Sequence, residues 1–245
     1  MKNLLIALTL TMLSAFAWAQ NHQWIPDTAV LVVDRYLKIL NYDNMPSDSM
    51  LYIETIIVDR DNPKDTTLMK RWFVMHQKMR GEIYVNGVRQ KALRTNGKDL
   101  YREFKNGRWR AIDPANFYTK LAEYDFRGPL YNWRTQGVEL EYKGSWMYNG
   151  NEVYRVLVHD PFRYDRYYLF DKQSGLLFMI DELPIDPTTT KSDAVPNVDW
   201  RAIHEYYPIH MMFIPSEESY QIDGNITLMH STMKMIPIDE RLFNK

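Results

Sequence analysis

The stretch GEIYVNGVRQKALRTNGKDLYREFKNGRWRAI, residues 81–112, decides the fold. Within it Asn86-Gly87, Asn96-Gly97 and Asn106-Gly107 recur every ten residues. Asn-Gly is the pair best able to take the two positive φ angles of a type I′ hairpin turn. The pieces between the turns, 81–85, 88–95, 99–104 and 108–112, are short and carry β-branched and aromatic side chains, so they predict an antiparallel meander. Upstream, Leu51–Asp59 and Leu68–His76 repeat the pattern. Downstream it returns in 138–148, turns at Asn149-Gly150, and continues through 152–159, 166–170, 176–180, 201–207, 211–214, 219–222 and 226–236. These runs amount to about ten or eleven strands. Residues 183–198, with three prolines, read as a long loop.

Two segments have the helical period instead. From Asp27 to Leu40, Val30, Val33, Leu37 and Leu40 form a stripe with Ala29, Tyr36 and Ile39 beside it, started by Pro26-Asp27. Asp113-Pro114 resembles a cap followed by proline at the first helical position, with Phe117 and Leu121 on one face as far as Glu123, and a second short helix is expected over 129–135. The strand signal runs on either side of this insert without a shift in composition, so one domain is expected. A single sheet of that length must curl as strand twist accumulates. Only the two helical segments are available to cover its concave face.

Composition narrows the function. The 245 residues hold 30 Lys and Arg against 31 Asp and Glu, so no single-sign field attracts nucleic acid or anionic headgroups. Cysteine is absent, which removes disulfides, thiolate metal sites and cysteine nucleophiles. Lys2, the apolar run from Leu4 to Phe16, and Ala17-Trp18-Ala19 have the layout of a signal peptide, with cleavage expected before Gln20. Residues 1–19 are therefore expected to be removed, and residues 20–245 to form one soluble exported domain.

No Gly-x-Ser-x-Gly, His-Glu-x-x-His, Walker or dinucleotide motif occurs, and the six histidines are scattered singly, so neither a metal nor an organic cofactor is expected. Asp59 to Asp65 faintly resembles a calcium loop but has Lys64 at the glycine position and Lys70 at the twelfth, and reads as a polar hairpin loop. Glu139 and Glu141, two apart on a strand, share a face; with Glu205 they are the residues an envelope hydrolase with paired carboxylates would use. The positive signal is apolar surplus. Phe117, Leu121, Tyr124, Phe126, Leu130, Tyr131 and Trp133 crowd the insert, and fourteen methionines add flexible thioethers suited to ligands of variable shape.

In layout the chain resembles the LolA-like outer-membrane lipoprotein-sorting proteins of the Gram-negative periplasm. The resemblance lies in the leader, the helix bearing Val32-Val33-Asp34-Arg35-Tyr36-Leu37 and the meander. It extends to the insert ending at Gly128-Pro129-Leu130-Tyr131-Asn132-Trp133, then Gly137-Val138-Glu139-Leu140, and Arg166 to Asp171 leading into Ser174-Gly175-Leu176-Leu177. It implies a mainly β (α+β) fold: one curved antiparallel sheet forming a half-open barrel, with an N-terminal helix and a helical lid over an apolar cavity. It implies a non-enzymatic periplasmic carrier or chaperone for the acyl chains of a lipoprotein or other lipid, handed toward the outer membrane between inner- and outer-membrane transport components. Trp72 and Trp109 from the sheet, with Phe117, Leu121, Leu130 and Trp133 from the lid, are the residues expected to line the cavity.

Overall fold

The computed structural model describes residues 28–75, 78–104, 107–113, 124–128, 130–161, 165–182, 198–222 and 224–243. The leader, most of the first predicted lid helix and the proline-rich loop lie outside these residues. One helix, α1 (Thr28–Leu40), precedes thirteen strands. These are β1 (Ser49–Asp59), β2 (Thr66–Val74), β3 (Lys78–Val85), β4 (Val88–Thr95), β5 (Leu100–Glu103), β6 (Trp109–Ala111), β7 (Glu139–Tyr148), β8 (Asn151–His159), β9 (Arg166–Asp171), β10 (Leu177–Glu182), β11 (Val198–Ile209), β12 (Met212–Ile222) and β13 (Asn225–Pro237).

All thirteen join one sheet in the order β6-β5-β4-β3-β2-β1-β13-β12-β11-β10-β9-β8-β7, every pairing antiparallel. Two meanders, β1 to β6 and β7 to β13, are thus sewn together where β13 returns beside β1. The strand count exceeds the ten or eleven expected because, of the fourteen runs in the sequence, all but one pair are strands in their own right. Met211–Ile214 and Ser219–Ile222, expected as separate pieces, are one strand running through Pro215. Proline is tolerated there because Pro215 pairs with Tyr206 where the register shifts.

The Asn-Gly pairs divide. Asn86-Gly87 and Asn149-Gly150 both have positive φ throughout, 50° and 78° in the first and 48° and 84° in the second, as a type I′ turn requires. Asn96 instead keeps a negative φ and caps its turn with its side chain, which accepts from the amides of Lys98 and Asp99 at 3.0 and 2.9 Å.

The helix stripe is rotated slightly from the expected one. Ala29, Val32, Val33, Tyr36 and Leu40 are buried, whereas Val30 and Leu37 are half-buried. Asn41 ends α1 in the left-handed region, with φ 55°, its amide donating to the Leu37 carbonyl at 3.0 Å. α1 packs against both β12 and β7, which stand five places apart in the sheet. A flat sheet would separate them by about 24 Å, more than twice the ~10 Å thickness of a helix. The half of the sheet from β7 to β12 therefore curls around α1. Arg35 fixes the helix to the β9–β10 turn by donating to the carbonyls of Lys172 and Gln173 at 3.1 and 3.0 Å.

The chain between β6 and β7 starts at one edge of the sheet and ends at the other. Its described part, 124–128 and 130–137, is a succession of turns rather than the short helix expected over 129–135. Tyr131, Trp133 and Thr135 donate to carbonyls three residues back, and Gln136 to Asn132. The fold is thus a single open antiparallel sheet with one N-terminal helix, and the β6–β7 connection is a turn-rich strap where it is described. No helix among the described residues is long and apolar enough to cross a membrane.

Candidate functional site

Strand alternation sorts the sheet into two faces. On β1, Leu51, Ile53 and Thr55 are buried, and their cross-strand partners on β2 are Phe73, Arg71 and Met69. The rows continue as Met79, Gly81 and Ile83 on β3, and as Met235, Met233 and Ser231 on β13. This inner face carries the main core, to which α1 contributes Val33, Tyr36 and Leu40.

The strap lies on the same face. Tyr124, 2% exposed, rests its ring on the backbone of Gly81; Phe126 meets Phe73 at a ring-centroid distance of 4.6 Å and Tyr42 at 5.1 Å. Further along, the Tyr131 hydroxyl donates to Asp43 at 2.7 Å and Arg134 pairs with Asp34 of α1 at 2.7 Å. The strap thereby runs from β3 across β2 to the helix.

Several apolar side chains on this face are only half-buried: Met69, Ile83, Met229, Met233, Met235 and the strap's Trp133. Interior side chains of a solid core are closely packed. A row of long, flexible thioethers left partly uncovered beneath a strap is instead what an apolar ligand space needs.

The expected cavity residues separate. Leu130 is fully buried in the core and Trp133 packs against it; Phe117 and Leu121 lie outside the described residues. Trp72 and Trp109 point the other way. Trp72 pairs with Tyr52 and Arg80, whose neighbours in each strand are the inner residues, and its ring meets that of Tyr52 at 5.3 Å. Trp109 lies on this same outer face, with the Arg94 guanidinium 4.4 Å and the Arg80 guanidinium 5.5 Å from its ring. Neither lines the space between sheet and strap. Composition alone could not distinguish them from inward aromatics, since a one-residue change of phase reverses every side chain.

The outer face is held by ions instead. Glu82 accepts from Arg80 Nε at 2.9 Å and lies 3.3 Å from Arg89, and Arg89 also pairs with Glu103 at 2.7 Å. Burial alone would raise the Glu82 carboxyl, but the Tyr84 hydroxyl and Arg80 outweigh it and hold it below the usual carboxylate range.

The inner face is not purely apolar, which sequence reasoning missed. Arg71 Nη2 donates to Thr55 Oγ1 at 2.8 Å, and that hydroxyl lies 2.8 Å from Ser231 Oγ. Burial pushes the Arg71 guanidinium down to about 10. Nearby, buried Glu218 is paired with Arg201, whose guanidinium burial would lower but the carboxylate raises. Alternation along β2 could have flagged Arg71, because it shares a phase with Met69 and Phe73.

The carboxylates considered for catalysis do not converge. Glu139, Glu141 and Glu205 are all exposed; Glu141 pairs with Lys143 at 2.5 Å, which holds it below its usual range, and Glu205 stands across from Glu217. Asp165 Oδ2 accepts from His159 Nδ1 at 2.7 Å. The Asp59 loop is the expected polar hairpin, with Asp59 accepting from the amides of Asp61 and Asn62. Among the described residues no three His, Asp or Glu side chains are grouped to hold a metal.

No protein-family model matches the sequence, and no curated protein matches it in sequence. Solved structures do match it in shape. A LolA superfamily protein from Nitrosomonas europaea aligns with a TM-score of 0.58 at 11% identity, over 89% of this chain and 97% of its own. A DUF1329 family protein from Desulfovibrio piger gives 0.58 at 11% identity, over 89% and 98%. A domain from Vibrio parahaemolyticus, provisionally assigned as an outer membrane lipoprotein-sorting protein, gives 0.55 at 10% identity, over 86% and 97%. At these identities the likeness speaks for the fold. The overall fold is shared with these neighbours, and the chain has the LolA-like fold.

Proposed function

We propose that the protein is a carrier for acyl chains, held between the inner face of the sheet and the strap, and that it works in the periplasm after removal of residues 1–19. The half-buried thioether row of Met69, Met229, Met233 and Met235 carries this reading. The similarity in fold to proteins that include a lipoprotein-sorting domain supports it. Each methylene withdrawn from water contributes about 0.8 kcal/mol, so a 16-carbon chain gains roughly 10 kcal/mol before the cost of ordering it. That is enough to favour binding without any chemistry. The cargo is a lipoprotein's acyl chains or another lipid, and delivery is toward the outer membrane, with inner- and outer-membrane components as donor and acceptor. Phe117 and Leu121 belong to the same connection as Leu130 and Trp133 and are proposed to cover the space with them.

The test is uptake of a dansyl-labelled fatty acid by the chain from Gln20 onward, combined with native mass spectrometry of protein purified from the periplasm. Met233→Lys, on a half-buried position, is expected to weaken uptake by at least about tenfold while the circular dichroism is unchanged. Unchanged uptake in Met233→Lys and in Trp133→Glu would remove the inner face as the site.

A further inference from the structure

Along the inner-face row Met233, Ile53, Arg71, Gly81, Leu93, which runs on to the exposed Arg102 and Arg110 at the sheet edge, Arg71 is the one charged member away from that edge. Arg71 stands with Met69 and Phe73 on either side along β2, in the most apolar part of the sheet. Its only hydrogen bond among the described residues goes to Thr55, and its Nε is buried with no acceptor. No carboxylate among the described residues is within ion-pair distance of it. The two whose charge reaches it are already engaged, Glu218 by Arg201 and Asp125 by Arg127. Arg201 and Glu218 cancel, and so do Arg127 and Asp125, so among the described residues Arg71 leaves one positive charge unbalanced on this face. The Trp133 indole N–H, also buried, is a second donor without an acceptor among the described residues.

A half-buried cation on an apolar face, with its Nε shut off from water and no ionic partner among the described residues, is unfavourable, and a methionine like its neighbours would fill the position without that penalty. Buried donors left unpaired call for an acceptor from outside the chain. We propose that Arg71 anchors the anionic head of the carried amphiphile, a carboxylate or phosphate borne on a hydrocarbon chain that lies along the methionine row. The guanidinium presents planar N–H groups that match either oxyanion in geometry and charge. The inference rests on the carrier reading and narrows it from any acyl chain to an acidic lipid.

The probe set is palmitate, hexadecyl phosphate and hexadecanol, which share a chain length and differ in the head, each displacing the neutral dye N-phenyl-1-naphthylamine from the chain beginning at Gln20. At least one anion is expected to bind about tenfold or more tightly than hexadecanol. Arg71→Met should bring all three to the same affinity, and Arg71→Lys should keep part of the preference. Whichever anion holds the larger preference identifies the head as carboxylate or phosphate. Hexadecanol binding as tightly as both anions in the unmodified protein, or a preference that survives in Arg71→Met, overturns the anchor and leaves the carrier standing. If none of the three displaces the dye, the carrier reading falls with it. The comparison in the unmodified protein needs no variant, and thermal melts establish that the variants are folded.

Discussion

Gly81→Ala is expected to be far more damaging than a glycine-to-alanine change in a strand should be. The Gly81 backbone is one any residue can adopt, yet a Cβ built there lies 2.1 Å from Tyr124 Cδ1, 2.7 Å from Cε1 and 2.9 Å from Cγ. Ordinary carbon contacts are about 3.5–4.0 Å, so the ring must retreat by roughly 1.5 Å. Tyr124 is 2% exposed, so the ring must either press into its neighbours or lift toward water. An aromatic side chain buries roughly 150–200 Å²; lifting half of that into water forfeits about 2–2.5 kcal/mol at 25 cal/mol per Å². Overpacking the ring in place costs about 1–3 kcal/mol, so either route gives a similar loss. For a chain of this size that lowers Tm by roughly 5–10 °C. The assay is denaturant unfolding of Gly81→Ala, Tyr124→Ala and the double variant. If the collision is the cause, alanine at 81 is nearly neutral once the ring is gone, and the coupling exceeds about 1.5 kcal/mol. Equal losses in both backgrounds would refute the reasoning and place the cost in the strand itself. The displaced ring also loosens the strap where it leaves β3, so exchange of a bound fluorescent amphiphile should quicken.

Three other outcomes follow from single groups. With its guanidinium held down to about 10 by burial, Arg71 opposes folding while charged, so Arg71→Met should gain about 1–3 kcal/mol at pH 7, an advantage that shrinks as the pH passes 10; a destabilised variant in urea unfolding would contradict this. Glu82 has a lowered folded-state pKa, so its contribution is full above the unfolded value near 4.5 and lost as the pH falls through the folded one; Glu82→Gln should flatten the acid limb of a stability–pH profile, and an unchanged limb would argue against the outer-face cluster. His210 and Met211 form the β11–β12 turn with φ of 45° and 64°, a conformation that costs a non-glycine residue about 1–2 kcal/mol. Met211→Gly, at a side chain 73% exposed, should raise Tm by a few degrees in a thermal melt; a lowered Tm would point to a role for that side chain.

Local signals were sufficient for most of the elements. Val88–Thr95 was bounded to the residue, because an Asn-Gly turn precedes it and a second turn follows it. The expected core helix formed over nearly the expected span. What local signals could not deliver was the phase of each strand relative to the core. Trp72 and Trp109 are large, apolar and well placed in sequence, yet Phe73 and Leu100 are the residues of their strands or neighbouring strands that face inward. Arg71, in phase with Met69 and Phe73 along β2, faces inward with them although its charge suggests solvent.

The sequence by itself determined that this chain is a cysteine-free, charge-balanced antiparallel meander interrupted by an apolar insert, because turn chemistry and side-chain periodicity are set by residues a few positions apart. Only the tertiary structure decided that β13 closes against β1, that the sheet curls around α1, and that a lone guanidinium sits among the inner methionines. Those features depend on pairings between residues more than a hundred positions apart, such as Ile53 with Met233, and no local pattern encodes which distant strand will supply the partner.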